Sequence, residues 1–149
     1  MDQYLNQQEI QWLFQALWKV RFFANVTLET IDKIVARFIK KEFAKGVKII
    51  KEGTNGEAFY IIKSGSCQVF KKQGLFFKKE LAVLKEGDFF GEMSLVLDDK
   101  TSASVKTLEP TVLFVLLRNA FLKILKENKE LEQEITFFAN KGNFEILKN

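Results

Sequence analysis

Leu13, Phe14, Leu17 and Trp18 recur three and four residues apart, the spacing that gathers apolar side chains on one face of an α-helix. After Asn25 a second set repeats it: Leu28, Ile31, Ile34, Val35 and Phe38, with Thr27 placed to cap and Glu29 in the first turn. The pattern predicts two helices within residues 1–42, each with one apolar face, and the Phe22-Phe23 pair reads as core packing. From about residue 43 the period falls from about 3.6 to 2, and Gly46, Gly53, Gly56, Gly65, Gly74, Gly87 and Gly91 punctuate the chain. That rhythm predicts short strands over 47–50, 58–62, 67–70, 76–84, 102–107 and 112–117, with Lys63-Ser64-Gly65-Ser66 as a hairpin turn. Helix then returns. Asn119 is placed to cap a segment that turns Phe121, Leu122, Ile124 and Leu125 inward, and Leu131, Ile135 and Phe138 line a further helix that Gly142 stops.

Many short strands without intervening helices argue for a closed barrel or jelly roll rather than a parallel sheet. The expected fold is mainly β: a β-roll over 43–117 with N-terminal helices over 1–42 and C-terminal helices over 118–149. A length of 149 residues with 47% hydrophobic and 28% charged content suits a single domain with its own core.

Composition narrows the function more than it changes the fold. The longest uncharged apolar run, Val112 to Leu117, is far short of a bilayer span, and the start MDQYLNQQEIQ lacks the basic and apolar regions of a secretory signal. A soluble, cytoplasmic protein with no membrane span is the expectation. The lone Cys67 sits in an alternating apolar stretch and is expected to be a packed thiol without chemistry. Net charge is +4, but the basic residues are spread among acidic ones, and Lys40-Lys41, Lys71-Lys72 and Lys78-Lys79 read as solvated edges and turns rather than a nucleic-acid stripe. With no histidine in the chain, Ser-His-Asp and Cys-His nucleophiles and most imidazole metal sites are excluded. No enzyme, metal site or cofactor is expected.

The candidate chemistry lies in GDFFGEMSLVLDDKTSASV, residues 87–105. Gly87 and Gly91 let the backbone turn and come close to a ligand, and the short segment from Glu92 to Leu95 is able to present N–H groups to an anion as a helix start does. Together with EFAKGVKIIKEGTNGEAFYIIKSG, residues 42–65, this segment resembles the cyclic nucleotide-binding domain of bacterial transcription activators, kinase regulatory subunits and nucleotide-gated channels. The resemblance runs over nearly the whole chain.

That resemblance implies a ligand, cAMP or cGMP, and a role for each cassette position. Glu92 takes the place of the glutamate that accepts the ribose 2′-hydroxyl, and Ser94 that of the small residue beside the cyclic phosphate, with Gly91 and Met93 completing the turn. The family's phosphate-binding arginine, nine residues after the glutamate, is Thr101 here, between Lys100 and Ser102. If this segment is strand, Thr101, Ala103 and Val105 share the inward face and Lys100 points out; if it is loop, Lys100 is free to swing in as a point charge without arginine's planar fork. Losing one buried charge-assisted pair costs about 2–5 kcal/mol, and about 1.4 kcal/mol is tenfold in affinity. Asp98 and Asp99 add repulsion toward an anion. The expected function is a sensor module that binds a cyclic nucleotide weakly or with altered specificity. The alternative is a degenerate scaffold that binds protein or another small molecule.

In the family the C-terminal helices close over the base, which here implies a lid carrying Phe121, Leu125, Leu131, Ile135 and Phe138. Residues 118–149 leave no room for the helix-turn-helix domain of the activators, so output is expected to pass through a separate protein partner or a homo-oligomer. The apolar parts of the terminal helices, Trp12 and Trp18 among them, are candidates for that contact, with burial against the barrel as the competing use.

Overall fold

Asn6 starts the first helix with a reciprocal cap: its side chain accepts the Glu9 N–H while the Glu9 carboxylate accepts the Asn6 N–H, both at 2.9 Å. Helix α1 (Gln7–Leu17) buries Leu13, Ala16 and Leu17. Helix α2 (Leu28–Val35) starts at Thr27, whose hydroxyl accepts the Thr30 N–H, and buries Ile31, Ile34 and Val35. The computed structural model describes residues 3–24, 26–133 and 135. Asn25, Phe138, Gly142 and the side chain of Phe22 lie outside the described residues.

The strands form two antiparallel sheets. The first has the order β1 (Gln3–Tyr4), β2 (Ile39–Phe43), β9 (Thr111–Leu117), β4 (Ala58–Ser64) and β7 (Phe89–Phe90). The second runs β3 (Lys48–Ile50), β8 (Ser104–Thr107), β5 (Cys67–Gln73) and β6 (Phe77–Leu84). Ala58, Ile62, Phe90, Leu113 and Val115 from the first sheet meet Cys67 and Val105 from the second in one core, the inside of the expected β-roll. The other face of the first sheet supplies Phe59, Ile61, Phe114 and Leu116 to a larger core shared with α1, α2 and the C-terminal helix α3 (Arg118–Glu127). Phe59 sits at its centre, with Phe38 and Phe89 edge-on to its ring at 6.1 and 5.9 Å.

Several boundaries differ from the sequence expectation. Helix ends at Val35, and Phe38, although fully buried, precedes a strand; the β-roll thus begins at 39 rather than 43, because all of β2 pairs with β9, from Ile39↔Val115 to Phe43↔Thr111. Leu28, expected on the apolar face of α2, is 63% exposed at the first helical position. The Lys63-Ser64-Gly65-Ser66 turn does not close a hairpin. β4 pairs with β9 and β7 while β5 pairs with β6 and β8, so this turn carries the chain from one sheet to the other. Gly65 is required there: φ is +95°, and a Cβ would come within 2.7 Å of the Pro110 carbonyl.

Asn119 does not cap α3. The helix follows β9 directly, with Leu117 at the cap and the Arg118 N–H bonded to the Glu57 carbonyl at 2.8 Å, which leaves Asn119 inside the first turn. Phe121, Ile124 and Leu125 are buried and Leu122 packs partly against the core. Past the end of α3, Asn128 caps the helical residues that follow: its Oδ1 accepts the Leu131 N–H while its Nδ2 donates to Thr30 Oγ1, tying them to α2. Leu131 and Ile135 are buried, as their spacing predicts. Trp12 packs edge-on against Phe114 at 5.6 Å with the Lys63 ammonium over its ring, whereas Trp18 is 48% exposed. Among the described residues no helix is long and apolar enough to cross a membrane. Cys67 is fully buried, and burial pushes its thiol up to about 11, the behaviour of a packed, inert cysteine.

Candidate functional site

The loop that leads into the cassette is fastened at both sides. Asp88 accepts the Lys85 N–H, the Gly87 N–H donates to the Ile62 carbonyl at 2.8 Å, and the Ile62 N–H donates to the Asp88 carbonyl at 2.9 Å. β7 then pairs with Tyr60 and Ile61 of β4, and the Phe90 ring stacks on Tyr60 at 4.8 Å. Gly91 follows with φ of +80°. A Cβ there would stand 2.7 Å from the Ala58 carbonyl, so both backbone sterics and the close approach to β4 demand glycine.

Glu92–Leu95 forms one 3₁₀ turn. Leu95 plugs it into the helical core with no exposed surface, while Met93 and Ser94 look the other way, into a cavity of about 750 Å³ between the sheets. Glu92 is half-buried on the same wall. Burial pushes its carboxyl above the usual carboxylate range, and its own backbone N–H partly offsets this. Ser94 reaches its place because residue 56 is glycine: a Cβ at Gly56 would collide with the Ser94 side chain.

The opposite wall is the segment from Asp99 to Ala103. Residues 101–103 are not strand; β8 begins at Ser104, whose hydroxyl accepts the Glu52 N–H at 2.9 Å. The strand reading of this segment, with Lys100 turned outward, therefore does not apply. Lys100 is exposed, lines the cavity and makes an isolated bridge with Asn55. Thr101 is committed elsewhere: its hydroxyl donates to the Lys51 carbonyl at 2.8 Å, its N–H donates to the Thr54 carbonyl at 2.7 Å, and its carbonyl accepts from Gly53 at 2.9 Å. No guanidinium lines the cavity. Arg21, Arg37 and Arg118 do not line the cavity, and Arg118 pairs with Asp98 at 3.1 Å.

Gly91, Glu92, Met93, Ser94, Lys100, Thr101, Ser102 and Ala103, the residues singled out in the sequence, thus all line one cavity. Sequence reasoning missed the second sheet's contribution, an apolar floor of Ile50, Val69, Leu84 and Val105. Alternation within β5 and β8 was the available signal, since Val69 and Val105 are directly opposite partners, but the strand pairing that brings them together was not legible. Also missed was Tyr60. It lines an adjoining hollow of about 410 Å³ that shares Ile50, Ser94 and Thr101 with the main cavity. Burial first, and the Glu57 carboxylate second, raise the Tyr60 hydroxyl above its usual range, so it stays protonated.

A β-roll with a glycine-turned cassette facing an open cavity defines a small-molecule binding domain. Residues 40–128 match the cyclic nucleotide-binding domain family, and the chain belongs to that family. It is 33% identical over 124 residues to a cAMP-dependent protein kinase regulatory subunit of Debaryomyces hansenii, an alignment spanning 83% of this chain and 26% of that protein. It is 34% identical over 131 residues to a cGMP-dependent protein kinase of Eimeria tenella, spanning 77% of this chain and 13% of the kinase. The structure described as cAMP-bound PfPKA-R superposes with a TM-score of 0.76 at 32% identity, over 80% of this chain and 43% of that one. The chain therefore spans less than half the length of each of these relatives.

Proposed function

We propose that the cavity holds a cyclic nucleotide, cAMP or cGMP, and that the chain is a regulatory sensor module rather than a catalyst. The observation that carries this reading is the open cavity flanked by the desolvated Glu92 carboxylate and the Ser94 hydroxyl. A carboxylate kept in a poorly hydrated wall needs a partner, and a ribose hydroxyl is a neutral donor that suits it. Ser94 supplies a hydroxyl to the cyclic phosphate, and the Gly91 turn lets the backbone come close. Lys100 is the cation on the wall. It acts as a flexible point charge, not as a bidentate clamp.

Affinity is lower than in relatives that carry an arginine at the Thr101 position, because Thr101 spends its hydroxyl hydrogen on the Lys51 carbonyl and carries no charge. Loss of such a clamp corresponds to about 2–5 kcal/mol. The output runs through Leu95: it shares one core with Phe121 and Leu125 of α3, so a ligand that pulls on the Glu92–Leu95 turn shifts the seat of the C-terminal helix.

Titration calorimetry with cAMP and cGMP tests the reading. Weak binding is expected from the unmodified chain, with a gain of at least about tenfold in Thr101→Arg, equivalent to about 1.4 kcal/mol. Tight binding by the unmodified chain, or no gain on substitution, counts against it. The locked Thr101 hydroxyl favours a second reading, a scaffold that has lost its nucleotide. No binding by either protein, with a partner still captured through α1 or α3, would support that one.

A further inference from the structure

Where β5 turns into β6, the chain exposes an apolar tip that its own fold does not use. Leu75 is 92% exposed, Phe76 87% and Phe77 72%. Gly74 turns the corner at φ +72° with open space around it. Behind the tip the register places Lys71 directly opposite Lys79 and Lys72 directly opposite Lys78, all of them exposed. Like charges facing each other across an antiparallel pair are destabilising, and exposed aromatic rings cost hydration free energy. Lysines on β6 also guard a free sheet edge against pairing with other chains, but that role gives no reason for a Leu-Phe-Phe tip beyond them.

One environment relieves both costs together. We infer that the β5–β6 hairpin docks on an anionic lipid bilayer, the Leu75-Phe76-Phe77 tip entering the interface while the lysine pairs meet lipid phosphates. The dimensions agree: Lys72 and Lys78 lie one to three residues from the tip, roughly 3–10 Å along a strand, and interfacial elements bury to about 5–10 Å. Glu80 accepts from Gln68 and Glu52 accepts the Lys72 backbone N–H, so two carboxylates stand beside the four lysines and offset only part of their charge. A second copy of the chain is a poorer occupant, because tip-to-tip pairing would bring two lysine clusters together. This docking does not depend on the nucleotide reading: none of these residues lines the cavity.

Co-sedimentation of the full chain with phosphatidylcholine vesicles, with and without about a third phosphatidylserine, tests the inference at low and physiological salt. Partitioning is expected to be at least about tenfold stronger onto the anionic vesicles, since each lysine near such a surface adds to the attraction, and to weaken as salt is raised. Phe76→Ser with Phe77→Ser, and separately Lys71→Glu with Lys79→Glu, should each lower it at least about tenfold. The second pair keeps like charges opposed, so local repulsion in the hairpin is unchanged. Both variants should retain the unmodified protein's circular dichroism and melting temperature. Equal binding to neutral vesicles, no binding to anionic ones, or variants that bind like the unmodified protein would overturn the inference. So would a dimer that the Phe76→Ser, Phe77→Ser variant dissociates without any vesicle binding, or retention by polyglutamate but not by vesicles.

Discussion

The two sheets of this β-roll live in different surroundings. β4 and β9, at the centre of the first sheet, are buried on both faces: Phe59, Ile61, Phe114 and Leu116 meet the helices while Ala58, Ile62, Leu113 and Val115 meet the second sheet. β6, at the edge of the second sheet, is exposed at most positions, and among the described residues no helix packs over it. The difference teaches that apolar character alone does not locate the core. Leu113-Phe114-Val115-Leu116 in β9 is apolar because two layers cover it, whereas Leu75-Phe76-Phe77 is apolar although nothing among the described residues does. The cavity lies between these two regimes, with a rigid wall from the first sheet and its cassette, and a floor from the second.

The largest test of the contrast is Phe59→Ala. Removing a ring that meets Phe23, Phe38 and Phe89 in a fully buried position should cost about 3–5 kcal/mol, read as a shift in the denaturant midpoint without change in slope. An effect below about 1 kcal/mol would mean that the helices do not cover this sheet as described.

Gly91→Ala should rank next, at about 1–3 kcal/mol, because alanine must either adopt a positive φ or push β7 away from Ala58. Calorimetry on the same variant should show nucleotide affinity falling by more than the stability loss explains, since the turn itself carries Glu92 and Ser94.

A smaller effect is expected from pH. The folded-state pKa of Glu92 is raised above the ordinary 4.5 by burial. In the window between that unfolded value and the raised folded one, the native state binds more protons than the unfolded chain, so stability falls as pH rises through the window. Glu92→Gln should flatten this segment of the stability profile. Nucleotide binding should move the opposite way in the parent protein, weakening as pH drops through the same window, because the ionised carboxylate is the acceptor for a ribose hydroxyl. A parent profile that is flat there would refute the desolvation of Glu92.

The smallest effect belongs to Phe76→Ala in the second sheet, expected within about 0.5 kcal/mol of the parent by thermal melting. A loss comparable to that of Phe59→Ala would erase the distinction between the sheets and show that the tip is packed after all.

Much of the site was legible because its signals are local. A glycine that must take positive φ, a carboxylate beside it and a hydroxyl two residues on are read from adjacent letters, and Gly91, Glu92 and Ser94 do lie on one cavity wall. The failures share the opposite property. Lys63-Ser64-Gly65-Ser66 has the composition of a hairpin turn, yet the partners of its flanking strands are remote in sequence, Leu113 for Ile62 and Thr107 for Cys67. Asn119 looks like a cap until the Arg118 N–H is satisfied by Glu57, just before β4. Ile39–Phe43 has the letters of a helix end, and only pairing with β9 makes it extended.

By itself the sequence determined which segments carry apolar periodicity, where the backbone must turn through glycine, that no imidazole chemistry is open to this chain, and that a threonine, Thr101, stands nine residues after Glu92. Tertiary structure alone decided which strands neighbour one another, that Thr101 is locked to the Lys51 carbonyl while Lys100 stays on the cavity wall, and that one apolar stretch is core and another is bare. The physical reason is range. Conformational preference and side-chain chemistry act within a few residues, whereas pairing, burial and desolvation are set by groups that only the folded chain brings together.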